Sequence, residues 1–517
     1  MPFDSSKLKI IFIAVLGMIL AIWLGLSIAT NQVETLIQVI AASVLIVCLF
    51  LGNRIWLLIP FMGALNIGLR LPGQPDSMLL GQILVLSFAT LLLLMRKLPV
   101  RMHWTELEFW ILILTLCIVQ AYIRNPVGVN LFGGSSVGGK PYAIYAISVV
   151  SSLLLCSLRV PVSQLKMILP LAIVGGLMNL LIAVVGLIVP SVAFYTGGAL
   201  LRSDEPNYEN YGRAVDVGAA GRIGFLSEFS RNSALWISSF VSPIRACFQP
   251  FWGLMILITL TAAMFGGFRS SLITVGLTFL IGIVYHSGSR GLLGAVFGGV
   301  AGLALLAMVN LLHPLPPNVQ RALTFLPGTW EERYKDDAQG STDWRVEVWR
   351  EALTQEKWIR NRWLGDGLGF RAEDLAKATT LKGTGMSGFD IHRENVLLSG
   401  DYHSTLVSTI RTSGGVGLFF LICATWRTAF RAHHLIMRHR RGPFGPLSLF
   451  VGIPLVAAPL LLLISASNFM QVVTPLLFGL SMVRLLENNI PNPTLPLPPV
   501  VGNLPIRSRV SRSSSHP

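Results

Sequence analysis

Apolar runs of 17–25 residues recur along most of this chain, divided by short polar turns. Each run is long enough to cross a bilayer as a helix. They fall at about residues 8–29, 34–51, 55–70, 78–95, 107–123, 141–157, 167–190, 250–267, 271–286, 291–312, 404–425, 445–466 and 470–486, with a shorter run at about 232–247. The pattern predicts an all-α polytopic membrane protein with roughly 12–14 transmembrane helices. The short alternating strands of an outer-membrane barrel are absent. Two polar stretches interrupt the rhythm: residues 191–231, and a much longer one at 313–401. The predicted organisation is therefore N-terminal spans over 1–312, a hydrophilic loop over 313–402, C-terminal spans over 403–487, and a Pro-, Ser- and Arg-rich tail over 488–517.

Composition agrees. Of the 517 residues 53% are hydrophobic and only 13% charged, about half the charged share of a soluble protein. A net charge of +15 on a soluble chain would suggest nucleic acid; here the positive-inside rule accounts for much of it, and no nucleic-acid partner is expected. Cys48, Cys117, Cys156, Cys247 and Cys423 lie in or beside apolar runs, so neither a disulfide framework nor a cysteine metal site is predicted. The KLK sequence before the first run leads into a full-length span with no small-residue cleavage site, which predicts a retained span rather than a leader.

Loop charge sets the expected orientation. Residues 426–442 carry five arginines and no acid, and RKLPVRMH at 96–103 has three basic residues and no acid. Both are expected on the cytoplasmic side. The loop at 313–401 lies one span before the first of these and holds 14 of the 25 acidic residues, so it is expected to be extracytoplasmic. The tail is expected to be disordered and cytoplasmic.

Chemistry-bearing residues are few. GGSSVGGK at 133–140 nearly spells a phosphate-binding loop, but Pro141 stands where a metal-ligating hydroxyl belongs and no strand precedes it, so it is a turn between helices. The long loop contains one amphipathic helix, expected at about 343–360, with Trp344, Val348 and Ala352 on one face and Trp349 and Leu353 beside them. Five of the twelve tryptophans lie in this loop, as interfacial segments favour. Such a helix would hold Arg345 at headgroup depth. His403 stands at the mouth of a span, where an imidazole can move protons at neutral pH. Arg411, two turns into that span, is expected to face a cavity or a partner. Gly414, Gly415 and Gly417 suit close helix packing. Parity of crossings places Arg269 on the side of His403 and Arg290 on the opposite side. No HExxH, Asp-x-Asp, Walker or metal-ligand pattern occurs, and no metal or cofactor is expected.

Over about 260–425 the chain resembles the O-antigen ligase and O-antigen polymerase family of bacterial envelope proteins. The residues that carry the resemblance are Phe268-Arg269-Ser270; then Arg345 with Trp349, Ala352 and Leu353; then Gly365, Gly367 and Gly369; then His403 with Leu406, Gly414 and Gly417-Leu418. The chain departs from the family in reading Phe-Arg-Ser at 268–270 for Ser-Arg-Gly, which Ser289-Arg290-Gly291 does spell, in reading Ser404 for Asn, and in having no acid near Arg411. GRIGFLSEFSRNSAL resembles the family's outer segment and adds Arg222. The resemblance implies transfer of a glycan from a polyprenyl-pyrophosphate carrier to a hydroxyl of a glycan or lipid acceptor, at the outer face of the bacterial inner membrane. Arg269, Arg345 and Arg222 would bind the diphosphate through planar guanidinium forks, and His403 would receive or position the acceptor hydroxyl. Ligase and polymerase are both left open. A transporter for a small anion or lipid-linked sugar, and a non-catalytic subunit of an envelope complex, are the alternatives.

Overall fold

The structure, a computed structural model, describes residues 50–69, 75–101, 103–127, 138–188, 192, 223–326, 328–369, 388–464 and 467–491. The expected spans at about 8–29 and 34–51 lie outside the described residues but for 50 and 51. So do most of the 191–231 loop, Arg222, and the tail from 492. In chain order the described helices of seven residues or more are α1 (Leu58–Leu65), α2 (Ser77–Leu94), α3 (Glu106–Arg124), α4 (Lys140–Ser157), α5 (Ile168–Ile188), α6 (Gly224–Phe240), α7 (Pro250–Phe265), α8 (Arg269–Leu312), α9 (Pro317–Leu323), α10 (Glu332–Thr354), α11 (Gly388–Ser399), α12 (Thr405–His439), α13 (Gly445–Ile464) and α14 (Phe469–Asn489). Among the described residues there is no strand, only two isolated bridges. Eight helices among the described residues are long and apolar enough to cross a membrane: α2, α3, α4, α5 with the turn before it, α8, α12, α13 and α14. This is an all-α membrane protein.

Local chemistry marks the helix ends. Asp76 caps α2 by accepting from Leu79 N at 2.7 Å. Thr105 and Glu108 form a capping box at α3, and Asn468 and Gln471 form another at α14. Between caps the helices sort their apolar residues by face. In α3, Leu107, Ile111, Leu114 and Ile118 are buried, while Leu112, Leu116 and Ile123 face outward, as lipid requires. The largest core joins α3 and α4 to α12, α13 and α14.

The bundle has two chemically different ends. At one, Arg427 pairs with Glu106, Arg431 with Glu487 at 2.6 Å, and Arg484 with Glu108 at 2.9 Å. The opposite end, about 28 Å away along the 19 residues of α3, carries the turn at 361–369. There Arg124 donates to the carbonyls of Leu364 and Gly365 at 2.9 and 2.7 Å. The Arg-rich stretch expected as a loop at 426–442 is helical as far as His439. Its arginines remain in a helix because acids on α3 and α14 meet them.

Helix α8 has 44 residues, about 66 Å if straight, twice a bilayer core. It is a hairpin. Gly288 (φ 68°, ψ −161°) breaks it, and Leu272 and Leu306 pack against the same cluster of Val319, Leu323 and Trp330. Its two helical legs correspond to the two apolar runs at about 271–286 and 291–312. The apex adjoins the ionic end: Arg440 donates to Tyr285 O at 3.1 Å, and the Tyr285 hydroxyl meets His433 Nδ1 at 2.8 Å. A buried row of hydroxyls, including Ser230, Ser233, Ser238, Thr259 and Ser271, binds the first leg of α8 to α6 and α7.

Candidate functional site

Helix α10 assembles the site. It begins at Glu332, earlier than its apolar periodicity predicts, because Gln320 and Glu331 hold its start: Gln320 Nε2 donates to the Glu331 carboxylate at 3.0 Å, and Glu331 N donates to Gln320 Oε1 at 3.2 Å. It ends at Thr354, short of the expected 360. Val348 and Ala352 are fully enclosed and pack with Ile359, Leu397, Tyr402 and Val407. Trp349 Nε1 donates to Tyr402 O at 2.7 Å, fastening α10 to the turn that carries His403.

His403 is half-buried and has φ 49°, the left-handed region that costs an L-residue about 1–2 kcal/mol. Its ring lies 5.8 Å from that of Trp344, at 46°. Ser404 then caps α12. Thus α10 sends Trp344 to the imidazole. The next residue, Arg345, lies within the field of Arg269. Burial first, and then the charge of Arg269, push the Arg345 guanidinium below its ordinary value. Arg269 is the first residue of α8, where the positive end of a helix already disfavours a cation. Two guanidinium groups near enough to feel each other's charge favour an anion between them. Trp344 joins them to His403.

Behind His403 lies a second device. Gly414 (φ 73°, ψ 180°) breaks α12 after its first nine residues. The WLGDGLG turn fills the break. Asp366 N donates to Arg411 O at 2.6 Å, Gly367 N to Thr412 O at 3.0 Å, Gly415 N to Arg362 O at 2.8 Å, and Val416 N to Trp363 O at 3.1 Å. These four bonds satisfy main-chain groups that the break releases. A side chain at Gly365 would strike Gly414 and Thr412, and one at Gly414 would strike Trp363. These glycines serve backbone-to-backbone contact rather than the helix packing expected of Gly414. The Asp366 carboxylate shapes the turn by accepting from Arg360 N and Asn361 N at 2.8 and 3.1 Å.

The structure therefore gathers Arg269, Arg345 and His403 at one end. It sets Arg290, exposed, at the apex of α8 toward the ionic end. Arg411 lies just before the break and is only 9% exposed, so it is enclosed by protein rather than facing an open cavity. Lys140, from the near-phosphate-loop pattern, is buried at the start of α4 with Asp76 as an opposite charge. Sequence reasoning missed Tyr402 and Asp366. A Tyr beside the His and an Asp between glycines were the available signals. Among the described residues no group of three or more His, Cys, Asp or Glu could hold a metal ion. No protein-family model matches the chain, and a search of curated proteins finds no match.

Proposed function

We propose that this protein is a membrane glycosyltransferase of the O-antigen ligase or polymerase kind, moving a glycan from a polyprenyl-pyrophosphate carrier to an acceptor hydroxyl. The observation that carries the proposal is that Arg345, within the field of Arg269, follows directly on Trp344, whose ring meets that of His403. The leaving group of such a reaction is a lipid diphosphate, and its charge grows as the sugar C1–O bond breaks. Paired guanidinium groups meet that charge where it develops. His403 takes the acceptor hydroxyl's proton as the new C1–O bond forms. The carrier tail lies along the lipid-facing helices.

In this proposal residues 313–401 and the site are extracytoplasmic, the ionic end is cytoplasmic, and the membrane is a bacterial inner membrane. The two legs of α8, the helices α1, α6 and α7, and the segments at about 8–29 and 34–51 bring the crossings to about 14, the upper end of the expected range. Cysteines placed singly at Gln339 and Arg440 in a cysteine-free background test the sidedness. An impermeant thiol reagent should label position 339 of intact cells; labelling at 440 alone refutes the orientation.

The broken α12 favours a second reading, since transporters place substrate at broken helices. Here the break is filled by the 362–367 main chain, which leaves the transferase ahead. Purified protein in lipid, given a polyprenyl-pyrophosphate oligosaccharide, separates them. A transferase forms a new glycosidic bond and loses this with His403→Ala while the protein still accumulates. A transporter moves the substrate unchanged.

A further inference from the structure

The Arg411 guanidinium takes no part in the transfer chemistry above, yet it reaches both the turn before His403 and the glycine turn. Its Nη2 donates to Leu398 O at 3.3 Å and its Nη1 to Gly367 O at 3.4 Å. Its Cδ, Nε and Cζ press on Gly400, which has φ 73° and no room for a side chain beside them. Tyr402 is fully buried, and its phenol lies in the field of Arg411. Burial pushes that phenol up to about 12, with Arg411 opposing the rise. Arg411 has no ion-pair partner among the described residues.

The turn from Leu398 to Tyr402 is held from beneath at every second carbonyl. Leu398 O accepts from Arg411, Gly400 O from Ser408 Oγ at 3.0 Å, and Tyr402 O from Trp349 at 2.7 Å. His403 follows in its left-handed conformation, which persists only if its surroundings impose it. Of the three donors, only Arg411 also reaches the glycine turn that clamps α12. A buried cation without an acid is costly and is expected where it has work to do.

We propose that Arg411 is a positioning residue. It locks the 398–402 turn to the glycine turn and so aims the His403 imidazole, without touching substrate. The inference rests on the transferase reading. It accounts for a glycine at 400 and for the enclosure of Arg411.

The test uses the full-length protein in lipid, with release of polyprenyl pyrophosphate from a polyprenyl-pyrophosphate oligosaccharide as the readout. Arg411→Lys keeps the charge but cannot span both carbonyls. It should lower kcat by about 10–100-fold, the scale of a misplacement near 1 Å, and leave KM for the lipid donor within about threefold. Gly400→Ala keeps the arginine and crowds it, and should give the same split; it carries the test if Arg411→Lys does not accumulate. A wild-type kcat in either variant overturns the proposal, as does a loss confined to KM. The transferase reading fails separately, if His403→Ala releases polyprenyl pyrophosphate at the wild-type rate. No release by the wild-type protein would overturn both.

Discussion

Ser287-Gly288 in α8 and Ser413-Gly414 in α12 are each followed by a glycine three positions on, Gly291 and Gly417. The two breaks have nearly the same backbone, φ 68° with ψ −161° and φ 73° with ψ 180°. Their surroundings are opposite. At Gly288 nothing would meet an added side chain; the chain reverses there, and Ser287 Oγ pairs with Ser242 Oγ at 2.8 Å. At Gly414 another segment of main chain enters the gap. A short local pattern thus sets the dihedral angles, while a distant segment decides whether the break is an apex or a joint. The arginines beside them follow suit. Arg290 is exposed at the apex and Arg411 is enclosed by the joint.

The sharpest way to break this comparison is to add one methyl group at each glycine. Gly288→Ala should cost only the strain of a positive φ with extended ψ, about 1–3 kcal/mol. Gly414→Ala adds a collision with Trp363 that relaxes only if the turn withdraws, a further 1–3 kcal/mol or so, and should leave little folded protein. Thermal unfolding in detergent ranks them, and equal losses would mean that the clamp contributes nothing. Next in size is the effect on transfer. Arg269→Ala should lower kcat by about 10²–10³-fold, as loss of a charge-stabilising donor does, and Arg269→Lys should restore it only in part. Arg290→Ala should stay close to wild type per folded molecule. A dead Arg290 variant beside an active Arg269 variant would reverse the two ends.

Smaller effects sharpen the picture of the joint. Asp366→Asn keeps the shape of the turn but weakens two charge-assisted bonds, and should cost about 1–2 kcal/mol of stability. The smallest change is Arg393→Ala. Arg393 pairs with Glu347 at 2.9 Å and Glu351 at 2.7 Å. Burial lowers the guanidinium, but the bonds and charges of Glu351 and Glu347 together outweigh it and raise the group above its ordinary value. Glu347 is exposed and the network is open to solvent on that side, so removal should cost no more than about 1 kcal/mol, and less at high salt.

The apolar helices were legible because a bilayer-length run carries its own signal. The hairpin was legible as two such runs, and parity of crossings put Arg269 and Arg290 at opposite ends. The His403 turn was legible only as a position. Nothing in the local sequence says that Trp344 will face the imidazole, 59 residues away, because that contact depends on how α10 docks. The end of α12 was misplaced at 425 since arginines read as loop; Glu106 and Glu487, far away in sequence, keep them helical. The glycines at 365 and 414 read as loose packing for the same reason. Their meaning is a contact between segments 49 residues apart.

The clamp on α12 has one more consequence. All four of its bonds run main chain to main chain. Exchanging the side chains of Arg362, Trp363 or Leu364 removes none of them, provided the glycines stay. The turn can therefore diverge freely at its outward positions while its anchorage stays the same. Variants substituted at these positions present different surfaces from the same mount, as long as Gly365 and Gly414 stay.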